Sequence, residues 1–67
     1  MSSVARVTEI SAISEQSFED AIRVGVDRAS QTLRNLQSAW VKEQEVQITN
    51  GAISGYKVNL EVTFVLE

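Results

Sequence analysis

The sequence predicts an α+β domain with the element order β-α-β-β, one amphipathic helix laid against a three-stranded antiparallel sheet. Three features carry that reading. Apolar residues recur at Phe18, Ile22, Val26, Ala29, Leu33 and Leu36, a spacing of threes and fours that marks one helix face. Asn50-Gly51 is a strong hairpin signal, because both residues tolerate positive φ. From Tyr56 to Leu66 the apolar residues Tyr56, Val58, Leu60, Val62, Phe64 and Leu66 alternate with Lys57, Asn59, Glu61 and Thr63, the period of a half-buried strand.

The first strand is expected over Val4 to Ser11, where Val4, Val7, Thr8 and Ile10 supply β-branched side chains. Ser14-Glu15-Gln16-Ser17 then signals a helix start, with either serine as N-cap. Glu15, Glu19 and Asp20 put negative charge where the helix dipole favours it. The helix is expected to run from Ser14 or Ser17 to Asn35. Gly25 and Ala29 lie near its apolar face and allow close approach to a sheet, and Arg23 and Asp27 lie four apart on the opposite face.

The second strand is expected over Ala39 to Thr49. Ala39 and Val41 share one face, whereas Val46 and Ile48 have the opposite parity, so a bulge or sharp bend is expected between Lys42 and Glu45. One helix covers one sheet face. The other face then shows Lys57, Asn59, Glu61 and Trp40. A tryptophan on a polar face far from the helix points to cover by a second chain or a flat ligand.

At 67 residues, a single domain, residues 1–67, is expected, with a core too small to be comfortable alone. The chain has no cysteine and no histidine, so neither disulfides nor the common zinc sites can supplement that core. Oligomerisation is the remaining route. A net charge of −3 argues against nucleic acid, and the apolar stretches are too short to span a membrane. Met1-Ser2-Ser3-Val4 does not read as a secretory signal, and a cytoplasmic protein is expected. Catalysis finds little support. Histidine and cysteine are absent, and there is no Gly-x-Ser-x-Gly elbow, P-loop or Gly-x-Gly-x-x-Gly.

The order of elements and several short stretches resemble the dodecin family. They are Val7-Thr8-Glu9-Ile10, Ser14-Glu15-Gln16-Ser17-Phe18, Ala21-Ile22, Asp27-Arg28-Ala29 and Thr32-Leu33-Arg34-Asn35-Leu36. Gly55-Tyr56-Lys57-Val58 and Leu60-Glu61-Val62-Thr63-Phe64 complete the set, which covers nearly the whole chain. The resemblance implies a β-α-β-β subunit whose sheet wraps the helix, assembling from trimers into a hollow homododecamer. It also implies a non-enzymatic store for a flavin, FMN or riboflavin, bound in pairs at two-fold axes.

Three positions depart from what that resemblance implies. The tryptophan that stacks on flavin in such proteins corresponds to Ser38 here, and Trp40 lies two residues later, on the same face but displaced by about 6.6 Å. The glutamine expected after the strand-three tyrosine is replaced by Lys57, and the arginine near the end of strand two by Glu45. The candidate cofactor-binding residues are therefore Trp40, Lys57, Ser38 and Glu45, with Lys57 placed beside the exposed aromatic as a donor to a carbonyl or phosphate oxygen. The ordinary alternatives are that Trp40 anchors a subunit interface and that Lys57, Asn59 and Glu61 form a solvated, salt-bridged face. Dodecin-like proteins without the flavin residues have been linked to metal ions, and Glu43, Glu45 and Glu61 are weak candidates for calcium, which wants six to eight oxygen ligands.

Overall fold

The computed structural model describes residues 2–66; Met1 and Glu67, the ends of the expected 1–67 domain, lie outside the described residues. The elements are β1 (Ala5–Ser14), α1 (Phe18–Ser30), β2 (Leu36–Thr49) and β3 (Ala52–Val65). They form one three-stranded antiparallel sheet, as the sequence predicts, with the strands in the order β1-β3-β2.

The core follows from the two periodicities. Val58, Leu60 and Val62 on central β3 are fully buried beneath Ala21 of α1, and Ala12 of β1 joins them. Phe18, Ile22 and Val26 pack around that centre. The helix comes close because Gly25 faces the sheet: an added Cβ there would lie 3.0 Å from Leu60 Cδ1 and 3.1 Å from Ala12 Cβ. At the hairpin, Asn50 (φ 53°) and Gly51 (φ 79°) both adopt positive φ, the conformation of a two-residue turn whose twist matches the strands.

Several boundaries differ from expectation. β1 runs on to Ser14, where it pairs with Tyr56. Ser14 is thus a strand residue, and the N-cap is Ser17, whose Oγ accepts from the Asp20 amide at 2.9 Å. The helix stops at Ser30 rather than Asn35. The amides of Thr32 and Leu33 both turn back to the Ala29 carbonyl, and Asn35 has φ 60°. Leu33 and Leu36 continue the helical stripe only because both pack on the core. Leu33 does so from the turn, Leu36 as the first residue of β2, which opens three residues before the expected Ala39. β3 opens at Ala52, directly after the turn.

The expected irregularity in β2 is a register shift between Val41 and Glu43, which leaves Lys42 as the additional residue. It keeps Val41 and Gln44 on the helix side, opposite Leu60 and Val58. Two further shifts, between Leu36 and Ser38 and between Gln47 and Ile48, have no clear trace in the apolar pattern.

Candidate functional site

The sheet face turned away from α1 is built in rows. Ser38 lies opposite Thr63, Trp40 opposite Glu61, Glu43 opposite Asn59, and Glu45 opposite Lys57. β1 continues all four rows: Val7 faces Thr63, Glu9 faces Glu61, Ser11 faces Asn59 and Ile13 faces Lys57. The strict alternation of β3 sets this order, since the residues between its buried positions must point the other way.

Trp40 is 67% exposed, the largest apolar surface on this face. In its row two carboxylates, Glu9 and Glu61, stand directly opposite each other, an unfavourable arrangement without a counter-ion. Lys42 supplies it. Its Nζ lies 3.4 Å from Glu9 Oε1 and 3.8 Å from Glu61 Oε1. The Glu9 charge, with that of Glu61 and Glu43 behind it, holds the Lys42 ammonium above the usual lysine range.

The next row is a hydrogen-bonded line. Ser11 Oγ donates to Asn59 Oδ1 at 2.6 Å, and Asn59 Nδ2 donates to Glu43 Oε1 at 3.2 Å. Beyond it, Lys57 Nζ pairs with Glu45 Oε1 at 3.4 Å. A shallow hollow of about 170 Å³ is lined by Glu43, Gln44, Glu45, Lys57 and Asn59.

The structure gathers Trp40, Ser38, Lys57, Glu43, Glu45 and Glu61 on one face; alternation predicts this for Trp40, Ser38, Lys57 and Glu61, whereas Glu43 and Glu45 reach it through the register shift at Lys42. It does not bring Lys57 beside Trp40 within one chain. Lys57 is four residues along β3 from Glu61, the partner of Trp40, a separation of about 13 Å. The cation in the tryptophan's row is Lys42, which the sequence reading passed over. The signal was present: Lys42 has the parity of Trp40, and placing it as the additional residue of the bulge fixes it on this face. Glu9 and Ser11 were missed because the register of β1 against β3 was not readable. Among the described residues, no set of three or more acidic side chains converges in one chain as a metal cage. Glu43, Glu45 and Glu61 are instead engaged by Asn59, Lys57 and Lys42 respectively.

Comparison with known proteins fits this arrangement. Residues 4–67 match the Dodecin family model. The chain is 39% identical to the dodecin of Thermus thermophilus over 67 residues, covering all of this chain and 97% of the relative. The solved dodecin of Streptomyces davaonensis superposes with a TM-score of 0.94 at 39% identity, over all of this chain and 98% of that one. A calcium-chelating dodecin from Mycobacterium tuberculosis, described as having a novel calcium-binding site, superposes with a TM-score of 0.84 at 33% identity, over 97% of this chain and 93% of its own. With a full-length sequence match and the same β-α-β-β subunit, the chain belongs to the dodecin family.

Proposed function

We propose that residues 1–67 form a single-domain, non-enzymatic subunit of a cytoplasmic homo-oligomeric shell, a dodecamer built from trimers, that holds a flat aromatic ligand of the flavin class, FMN or riboflavin. The observation that carries the ligand is Trp40, most of its surface open on the sheet face opposite the helix. An indole fixed on a strand offers a flat π-surface to an isoalloxazine ring, a large contact at small entropic cost. Lys42, in the same row, adds a positive charge towards an anionic ligand.

The assembly rests on shape. The chain exposes 5010 Å². A folded monomer of 7.4 kDa exposes about 4200 Å² by size scaling. Its radius of gyration is 13.8 Å, against about 11 Å for a compact domain of this length. Val7, Ile13, Ile48 and Ile53 are all more than half exposed. Such surface is stable in water when further copies cover it.

The test is titration of FMN with the assembled protein while flavin fluorescence is read. Quenching at micromolar protein that disappears in Trp40→Ala supports this reading, and unquenched flavin sinks it. A second reading is a shell without flavin, structural or binding a divalent cation such as calcium. It is favoured by the four glutamates Glu9, Glu43, Glu45 and Glu61 on one face and by the calcium-chelating relative. Symmetry-related copies would have to complete the six or more oxygens calcium needs. A melting temperature and assembly mass unchanged by a chelator would remove calcium from that reading.

A further inference from the structure

The β2–β3 ribbon outruns both layers of the fold. β1 ends at Ser14, opposite Tyr56, and α1 begins at Phe18, whose ring meets Tyr56 edge-on at a centroid distance of 5.1 Å. Residues Val46–Gly55 therefore project with neither β1 nor α1 against them, which stretches the molecule to 52 Å. This stretch contains no charged residue, in a chain of which 22% is charged. Ile48 and Ile53 face each other across the ribbon and are 66% and 57% exposed. The register shift between Gln47 and Ile48 keeps both on the face of Val46 and Tyr56, the side that packs on the helix lower down. The apolar helix-facing surface thus continues past the chain's own helix. A bare two-stranded ribbon of this kind is marginal in water.

A complementary surface lies on the flank. Between β1 and the outer side of α1 runs a groove of about 620 Å³ lined by Ile10, Val24 and Leu33, with Gly25 and Ala29 beside them. Val24 exposes much of its apolar surface there, whereas the exposed side chain of Ile13, opposite Lys57, lies on the other face of the sheet.

We infer that the uncharged ribbon tip of one copy docks into this groove on a second copy, Ile48 and Ile53 covering Val24 and Leu33. The inference rests on the shell reading above and names the contact that builds it. The area supports a copy as occupant. The surface in excess of a compact monomer, on the scale of 5010 Å² against about 4200 Å², matches the roughly 800 Å² per partner that a stable interface buries. Tip and groove are different patches, so the contact is heterologous and repeats from copy to copy until a ring closes.

The chain has no cysteine, which makes cross-linking clean. Ile53→Cys and Val24→Cys variants are unfolded together, refolded as a mixture and oxidised, beside each variant alone. A disulfide-linked dimer from the mixture, absent or much weaker with either variant alone, is the expected result. Light scattering of Ile48→Asp and Val24→Asp should give a mass below that of the wild type in both cases. An intact wild-type assembly with no cross-link in the mixture, or with native mass in the folded aspartate variants, overturns the contact but leaves the shell reading standing. A monomeric wild type overturns both.

Discussion

Glu9 and Glu61 face each other across the β1–β3 ladder with the Lys42 ammonium between them, 3.4 Å from one carboxylate and 3.8 Å from the other. The bulge in β2 is what makes this geometry available, because the additional residue leans across β3 while its neighbours keep their register. Replacing Lys42 with Gln leaves two like charges directly opposed. A lower melting temperature is expected, most visibly at low ionic strength and largely recovered in high salt, since Lys42 and Glu9 are nearly half exposed and Glu61 is also open to solvent. Equal destabilisation at both salt concentrations would mean that packing of the lysine stem, not its charge, is what matters.

The same triad sets a pH limit. Glu9 raises the folded pKa of Lys42 above its ordinary 10.5, so its contribution is fully present below that value and fades as pH rises through the folded pKa. The wild type should lose melting temperature more steeply than Lys42→Gln in the alkaline range, the two curves converging once the lysine is neutral.

At the other end of β1, Asp20 behaves in the opposite sense. A hydrogen bond donated by Ser14 Oγ at 2.6 Å, followed by the Arg23 guanidinium at 2.8 Å, holds its carboxyl below the ordinary 3.8. A depressed pKa gives stability that is present above the unfolded value and is lost as pH falls through the folded one. Asp20→Asn should lower the melting temperature at neutral pH, and the difference should shrink as pH falls below the ordinary carboxylate range and through the folded pKa. A difference that persists undiminished in acid would refer the effect to something other than the charge.

These two ends show what the sequence could and could not convey. Asn50-Gly51, the stripe from Phe18 to Ala29 and the alternation of β3 were legible because each is a local pattern with one backbone solution. The N-cap stayed open between Ser14 and Ser17 because a serine beside Glu15 looks the same whether it caps a helix or ends a strand that reaches back to Asp20. Leu33 and Leu36 extended the apparent helix because spacing records burial and is blind to the φ of Asn35. The row of Trp40 was half readable. Parity put the indole on the correct face, but its partners Glu61 and Glu9 depend on register between strands distant in sequence, and Lys42 depends on where the bulge falls.

Gly25 tests the close packing of helix on sheet. Ala12 Cβ, fixed to the backbone, would lie 3.1 Å from a new Cβ, and Leu60 Cδ1 would lie 3.0 Å away. Gly25→Val adds two further methyls at a point where β1 cannot yield without disturbing its ladder to β3. A loss of about 1–3 kcal/mol is expected, the usual range for an overpacked core, measured by denaturant unfolding of the assembly at fixed protein concentration. An unchanged midpoint would mean that α1 sits further from the sheet than the structure has it.

Trp40 is the sole tryptophan, so its fluorescence reports one position. As an interface anchor it would be covered by a neighbouring copy before any ligand arrives. As a stacking platform it stays open in the empty shell and is covered when FMN binds. The two roles predict opposite acrylamide quenching. We expect strong quenching in the ligand-free assembly, because the indole is 67% exposed in the subunit and its row is finished by charged groups that favour water. We expect protection on adding FMN. The control is Lys42→Gln: removing the cation from that row should weaken protection by FMN more than protection by riboflavin, which has no phosphate. Weak quenching in the empty assembly would make Trp40 an anchor and shift the shell towards the reading without flavin.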